Sequence, residues 1–144
     1  MPETKFSGHC QCGNVSYEID AEPMMVVKCH CLECQRSAGT GHVVAIAFPE
    51  PAVKASGETS KHNYTADSGN IVTQKFCPSC GATVFAGSSG YPGMTTVRAG
   101  SLDSAMDIAP QMQVYTSRKQ SWDALLPDVP SFPEMPPMEQ ATEG

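Results

Sequence analysis

Cys29-His30-Cys31-Leu32-Glu33-Cys34 places three thiols within six residues, and two pairs flank it, Cys10-Gln11-Cys12 upstream and Cys77-Pro78-Ser79-Cys80 downstream. A closed tetrahedral zinc site takes four thiolates, whereas a working site keeps one position open and takes three protein ligands. The chain has seven cysteines, so the count divides as four plus three. This predicts two Zn2+ per chain, one structural and one reactive.

The neighbouring residues suggest the grouping. Gly13 follows Cys12 and Gly81 follows Cys80, the small residue a metal knuckle needs where the backbone turns tightly and its N–H groups approach the sulfurs. Cys10, Cys12, Cys77 and Cys80 are therefore assigned to a structural zinc. Cys29, Cys31 and Cys34, followed instead by Gln35 and Arg36, are assigned to the open one. Joining Cys31/Cys34 to Cys77/Cys80 is the competing arrangement. A structural zinc on the outer pairs would close the chain between Cys12 and Cys77 into one long loop, and metal binding would be part of folding.

Other uses of the thiols fit less well. The cysteine count is odd, no apolar signal segment opens Met1 to Ser7, and cysteines one or two residues apart rarely bridge each other. A reducing, cytoplasmic setting is expected. Iron–sulfur ligation would use four cysteines and leave three unexplained. A redox pair at Cys31/Cys34 would leave Cys29 idle, and the strand-rich surroundings do not suggest the helix opening that usually depresses a catalytic thiol.

Composition narrows the class. A chain of 144 residues suits one domain, and 12 Gly with 12 Pro favours strands and turns over long helices. The formal net charge is −6 with scattered basic residues, a poor surface for nucleic acid, which needs clustered Lys and Arg. No stretch has the length of a membrane span. Short strand-like segments recur at Val15 to Ile19, His42 to Phe48, Ile71 to Phe76, Thr83 to Phe85 and Thr95 to Ala99, separated by Gly- and Pro-rich turns. They predict a mostly β, antiparallel fold with metal knuckles at hairpin tips. Helix is predicted only for a turn from Glu33 to Ser37 and a short C-terminal helix, Ser117 to Leu126, stopping at Pro127. One domain is expected over 1–133, followed by a disordered Pro-rich tail over 134–144.

Three thiolates on a divalent ion leave an electron-rich centre that exchanges a soft ligand more readily than it makes hydroxide. Chemistry at the sulfur of a visiting small thiol is the natural expectation. His30, between two ligands, is a candidate proton carrier because imidazole titrates near neutrality, although a side chain so placed commonly points away from the metal. Arg36 is a candidate for holding a substrate carboxylate, with a surface salt bridge as its plainer role. Arg98, beside Gly100, is a weaker candidate for the same task. His9 and His42 read as ordinary strand histidines. Trp122 and Phe132 read as anchors of the C-terminal segment.

Gly8-His-Cys-Gln-Cys-Gly13-Asn-Val-Ser-Tyr17, Cys29-His-Cys-Leu-Glu-Cys34-Gln-Arg36-Ser-Ala-Gly39, Phe76-Cys-Pro-Ser-Cys-Gly81 and Val97-Arg-Ala-Gly-Ser-Leu-Asp103 together resemble the successive motifs of the glutathione-dependent formaldehyde-activating enzyme family, whose domain is shared with a centromere protein. Tyr115-Thr-Ser-Arg118-Lys-Gln-Ser-Trp122 with Pro130-Ser-Phe132-Pro133 resembles its ending. The resemblance implies an Mss4-like β fold, a structural zinc on the outer two cysteine pairs, a catalytic zinc on the middle three, and carbon–sulfur lyase activity. In the named members glutathione and formaldehyde combine to S-hydroxymethylglutathione, so the implied partner is glutathione or its adduct. The alternative is a non-catalytic Mss4-like interaction or thiol-carrier module in which both metals only shape the fold. Either reading leaves room for a homodimer.

Overall fold

The computed structural model describes residues 4–104 and 108–136. In chain order the elements are β1 (Phe6–His9), β2 (Ser16–Ile19), β3 (Met25–Cys29), α1 (Leu32–Ala38), β4 (Val43–Pro49), β5 (Val53–Ser56), β6 (Ser60–Thr65), β7 (Ile71–Phe76), β8 (Thr83–Ser88), β9 (Met94–Arg98) and β10 (Met112–Val114). The chain forms two compact units, Met1–Met25 with Ile46–Ile108, and Val26–Ala45 with Ala109–Gly144.

In the first unit β1, β2 and β5 form an antiparallel sheet, with Phe6 opposite Ile19 and Tyr17 opposite Ala55. Tyr17 and Ile19 are buried while Glu18 between them is exposed, the period of two expected of a strand with one face on a core. A second antiparallel ladder runs β6, β7, β8, β9. Its inward residues Val84, Phe85 and Val97 are buried together with Ile46 and Phe48. Edge-on contact of Tyr17 with Phe85, ring centroids 5.4 Å apart, and the Phe6–Phe48 pair at 5.7 Å join the layers. Each such side chain contributes about 1.5–3 kcal/mol by leaving water. Gly8 is needed where it stands, because a Cβ there would run into Ser101 O and the Tyr17 ring.

In the second unit β10 lies parallel to β3, with Val114 opposite Cys29. Gln113, fully buried at the centre of β10, uses its side-chain amide to hold the chain beyond it. It accepts the Leu126 N–H at 2.6 Å and donates to Leu126 O, Val129 O and Ser131 Oγ. α1 begins at the N-cap Cys31 and ends at Gly39, whose left-handed φ of 75° closes the last turn.

Several expectations need correction. The helix predicted over Ser117 to Leu126 is one 3-10 turn, Thr116–Arg118, followed by irregular chain. Its polar groups are recruited by distant partners: Gln120 donates to Gln35, and Ala124 O accepts from Lys28. Trp122 is 67 % exposed, without the burial expected of an anchor. The sheets are mostly antiparallel, but the β3–β10 pair is parallel. The outer cysteine pairs do sit at the tips of the β1–β2 and β7–β8 hairpins, whereas the middle cluster sits at the junction of β3 and α1. Of the tail expected over 134–144, residues 137–144 lie outside the described residues, and Glu134 O accepts the Tyr115 N–H at 3.5 Å. No helix among the described residues is long and apolar enough to cross a membrane.

Candidate metal centres

Cys10, Cys12, Cys77 and Cys80 bring their sulfurs within 4.8 Å of one another in the first unit. Cys12 Sγ lies 3.7 Å from Cys10 Sγ and 3.6 Å from Cys77 Sγ. Four sulfurs at about 2.3 Å from a central ion stand about 3.8 Å apart, whereas a disulfide needs about 2.05 Å; the spacing matches the metal geometry and the cysteines are free. The two knuckles are built alike. Gly13 and Gly81 have φ of 85° and 80°, and their N–H groups return to Cys10 O at 3.1 Å and Cys77 O at 2.8 Å. That turn aims further N–H groups at sulfur: Val15 at Cys10 Sγ (3.3 Å), Ser79 and Cys80 at Cys77 Sγ (3.4 and 3.5 Å). The Ala82 N–H, followed by the Cys12 N–H, holds the Cys80 thiol down to about 6. Four sulfurs at this spacing, with backbone N–H groups aimed at them, fit Zn2+.

Cys29, Cys31 and Cys34 bring their sulfurs within 4.8 Å of one another in the second unit. Among the described residues no fourth His, Cys, Asp or Glu joins them. Cys29 ends β3, and Cys31 caps α1 with an extended backbone (φ −62°, ψ 154°), its Sγ accepting the Cys34 N–H at 3.3 Å. This corrects the expectation that no helix opening stands here. Hydrogen bonds from the Cys29 and Cys34 thiols hold Cys31 down to about 3, while the same contacts, with Cys31 first, push Cys29 well above the usual thiol range. Three thiols this close compete to ionise, a competition a divalent cation resolves by displacing their protons. The set fits Zn2+ with one position left for a further ligand.

Beside this cluster stands a buried polar network. His30 has no exposed surface; its Nδ1 lies 3.2 Å from Gly41 O and 3.4 Å from Asp123 Oδ2. His42 Nδ1 lies 2.7 Å from the same Oδ2, and the two imidazoles have centroids 5.6 Å apart. The buried Lys28 Nζ lies 3.9 Å from Asp123 Oδ1 and donates to Ala124 O at 3.0 Å. Burial alone would raise the Asp123 carboxyl, but the hydrogen bond and charge of His42, with Lys28 and His30, outweigh it and leave the group below its ordinary range. Burial keeps His30 below the usual imidazole value. His30 Nε2 is buried and has no hydrogen-bond partner among the described residues.

The family model described as glutathione-dependent formaldehyde-activating enzyme matches residues 5–118. The chain belongs to this family. No curated protein matches it. Among solved structures, a crystal structure of a Rhodobacter sphaeroides protein, a structural-genomics target, shares 19 % identity with a TM-score of 0.55, covering 72 % of this chain and 91 % of that one. That likeness supports the fold.

Within the family frame, the residues singled out from sequence fall as follows. The sulfurs group as four and three, and not as Cys31/Cys34 with Cys77/Cys80. His30 is buried next to two of the three sulfur-bearing residues, and Arg36 is exposed on α1. Arg98 lies in β9 of the first unit. His9 Nδ1 pairs with Asp103 Oδ1 at 2.8 Å. His42 is more than an ordinary strand histidine, because it meets Asp123. Asp123 went unnoticed in the sequence and lies beyond residue 118, where the family match ends. The only local hint was Lys28, a charged residue at an inward position of β3.

Proposed function

We propose that this chain is a zinc-dependent carbon–sulfur lyase acting on a small thiol adduct, with glutathione as the thiol and S-hydroxymethylglutathione as the model product. The observation that carries the reading is the set of three sulfurs, Cys29, Cys31 and Cys34, with no fourth protein ligand among the described residues. Zinc held there supplies an exchangeable position for a soft ligand and keeps a bound sulfur deprotonated near neutral pH. In the synthetic direction the thiol sulfur forms a bond to the aldehyde carbon, the C=O π pair moves onto oxygen, and the proton lost by the thiol ends on that oxygen; the lyase direction reverses each step. Cys29, Cys31 and Cys34 orient the guest sulfur. His30, with Nδ1 committed to Gly41 and Asp123 and no exposed surface, would serve the cluster by its position and not by touching substrate, and the exposed Arg36 would attract a thiol's carboxylate. Cys10, Cys12, Cys77 and Cys80 would hold the second, structural ion. Unbridged cysteines suit a reducing compartment such as the cytoplasm.

Metal content, cobalt spectroscopy and turnover with glutathione and several aldehydes test the reading together. Two ions per chain are expected, with a cobalt spectrum that changes on adding glutathione. Cys31→Ser should lose one ion and fall to background turnover while remaining folded. A saturated middle site, spectrally indifferent to glutathione, would instead mark a non-catalytic interaction module.

A further inference from the structure

Cys31 and Cys29 are separated by one residue, so their sulfurs can hold a fixed separation only if His30 is itself fixed. His30 is held at every polar group of its backbone. Its N–H donates to Val114 O at 3.0 Å, and its carbonyl accepts from Gln35 Nε2 at 2.7 Å. Gln35 is in turn held by Gln120, which donates to Oε1 at 2.7 Å, and by Arg118 O, 2.9 Å from Nε2. The imidazole is the remaining degree of freedom, and Asp123 meets it. One oxygen of that carboxylate serves His30 and His42 together, while the other faces Lys28.

A third metal site is the obvious alternative for His30, His42 and Asp123, whose ligand atoms lie within 4.8 Å of one another. The geometry argues against it. Ligands at about 2.0–2.2 Å from a tetrahedral ion stand roughly 3.4 Å apart, whereas His42 Nδ1 and Asp123 Oδ2 are at 2.7 Å, a charge-assisted hydrogen bond. The buried ammonium of Lys28 beside the same carboxylate would also repel a cation.

We propose that Asp123 is the positioning residue of the middle cysteine cluster: one carboxylate, its side chain 11 % exposed, that locks His30 between Cys29 and Cys31, with His42 and Lys28 holding the carboxylate in turn. This rests on the reading that Cys29, Cys31 and Cys34 hold metal. Gly41 belongs to the same device. Its carbonyl shares His30 Nδ1 with Asp123, and a Cβ at this position would run into the Asp123 side chain, so only glycine lets the carboxylate approach.

The test is competition of the full chain with a zinc chelator, and cobalt titration, for wild type, Asp123→Asn, His42→Ala and Gly41→Ala. Loss of an outer residue that orients a metal ligand typically weakens metal binding by about 10–100-fold. Asp123→Asn is expected to weaken the three-sulfur site by that factor and to alter its cobalt–thiolate band, with the four-sulfur site unchanged. Gly41→Ala, which displaces the carboxylate without removing its charge, should give the same selective loss, and His42→Ala a smaller one. If Asp123→Asn does not fold, Gly41→Ala and His42→Ala decide the matter. A wild-type chain with two ions whose three-sulfur affinity and spectrum are unmoved by these substitutions overturns the role of Asp123 alone. A third ion per wild-type chain, lost in Asp123→Asn, overturns it in favour of ligation. A wild-type chain that takes metal only at the four-sulfur site overturns the reading of the middle cluster as well.

Discussion

Tyr17 shows what one buried polar group imposes. Its ring is 2 % exposed against Phe85, and its hydroxyl lies 2.7 Å from Ser101 Oγ. Burial pushes the phenol up to about 12; the Ser101 bond pulls the other way and the Asp103 charge adds to the rise. A group whose folded pKa is raised contributes stability that is complete below its unfolded value, here 10.0, and is lost as pH climbs through the folded value. Unfolding midpoints in urea should therefore fall between pH 10.0 and about 12, by the equivalent of about 2 kcal/mol. Tyr17→Phe should flatten that decline, and phenolate absorbance reports the ionisation directly. At this scale the cysteine knuckles were legible, because Cys12-Gly13 and Cys80-Gly81 carry their turn chemistry in adjacent residues. Asp123 was not legible. Ser-Trp-Asp-Ala reads as polar surface, and the three residues that define its role, Lys28, His30 and His42, lie in remote parts of the chain.

The segments that announced themselves have clean patterns and glycine or proline at both ends. Ile71–Phe76 is the strand expected from sequence, and Thr83 to Phe85 and Thr95 to Ala99 fall within a few residues of their strands. β10 gave no such signal: it has three residues, and its central Gln113 is buried. An inward glutamine breaks the apolar rhythm, yet it is what the C-terminal chain is built on. Gln113→Leu keeps the volume but leaves the Leu126 N–H and carbonyl, Val129 O and Ser131 Oγ without that amide. Groups so abandoned cost about 1–3 kcal/mol each where water cannot reach them, and less at the exposed Leu126 and Ser131. A loss of about 2–4 kcal/mol in urea unfolding is expected; a loss below about 0.5 kcal/mol, the range of an ordinary surface change, would show that the amide bonds are replaced by water. The predicted helix over Ser117 to Leu126 failed for a related reason. Its propensities were adequate, but the Gln120 and Asp123 side chains and Ala124 O bond to other elements, while the Asp123 N–H reaches back only three residues, to Gln120 O at 3.1 Å.

Across the molecule, each cysteine cluster lies wholly within one compact unit. The cysteine count alone gave the division into four and three, while the two-unit construction could not be read from a sequence whose second unit combines a middle segment with the chain's final part. If both clusters hold zinc, the four-sulfur site should release its ion last, because four protein thiolates must let go instead of three. Graded chelation should then free zinc in two steps, followed by a metal-sensitive dye. Far-UV circular dichroism should change mainly with the second step, as the strands of the first unit lose the ion that ties Cys10 and Cys12 to Cys77 and Cys80. Simultaneous release with one spectral change would show instead that the clusters are linked in stability.

Four braces of the middle cluster, Val114, Arg118, Gln120 and Asp123, follow Cys80 in the chain. A nascent polypeptide leaving the ribosome thus carries a complete four-thiol knuckle before these supports of its other cluster have been translated. The order of synthesis gives the four-sulfur cluster the earlier opportunity to take an ion, and makes assembly of the three-sulfur cluster a late event in the life of the chain.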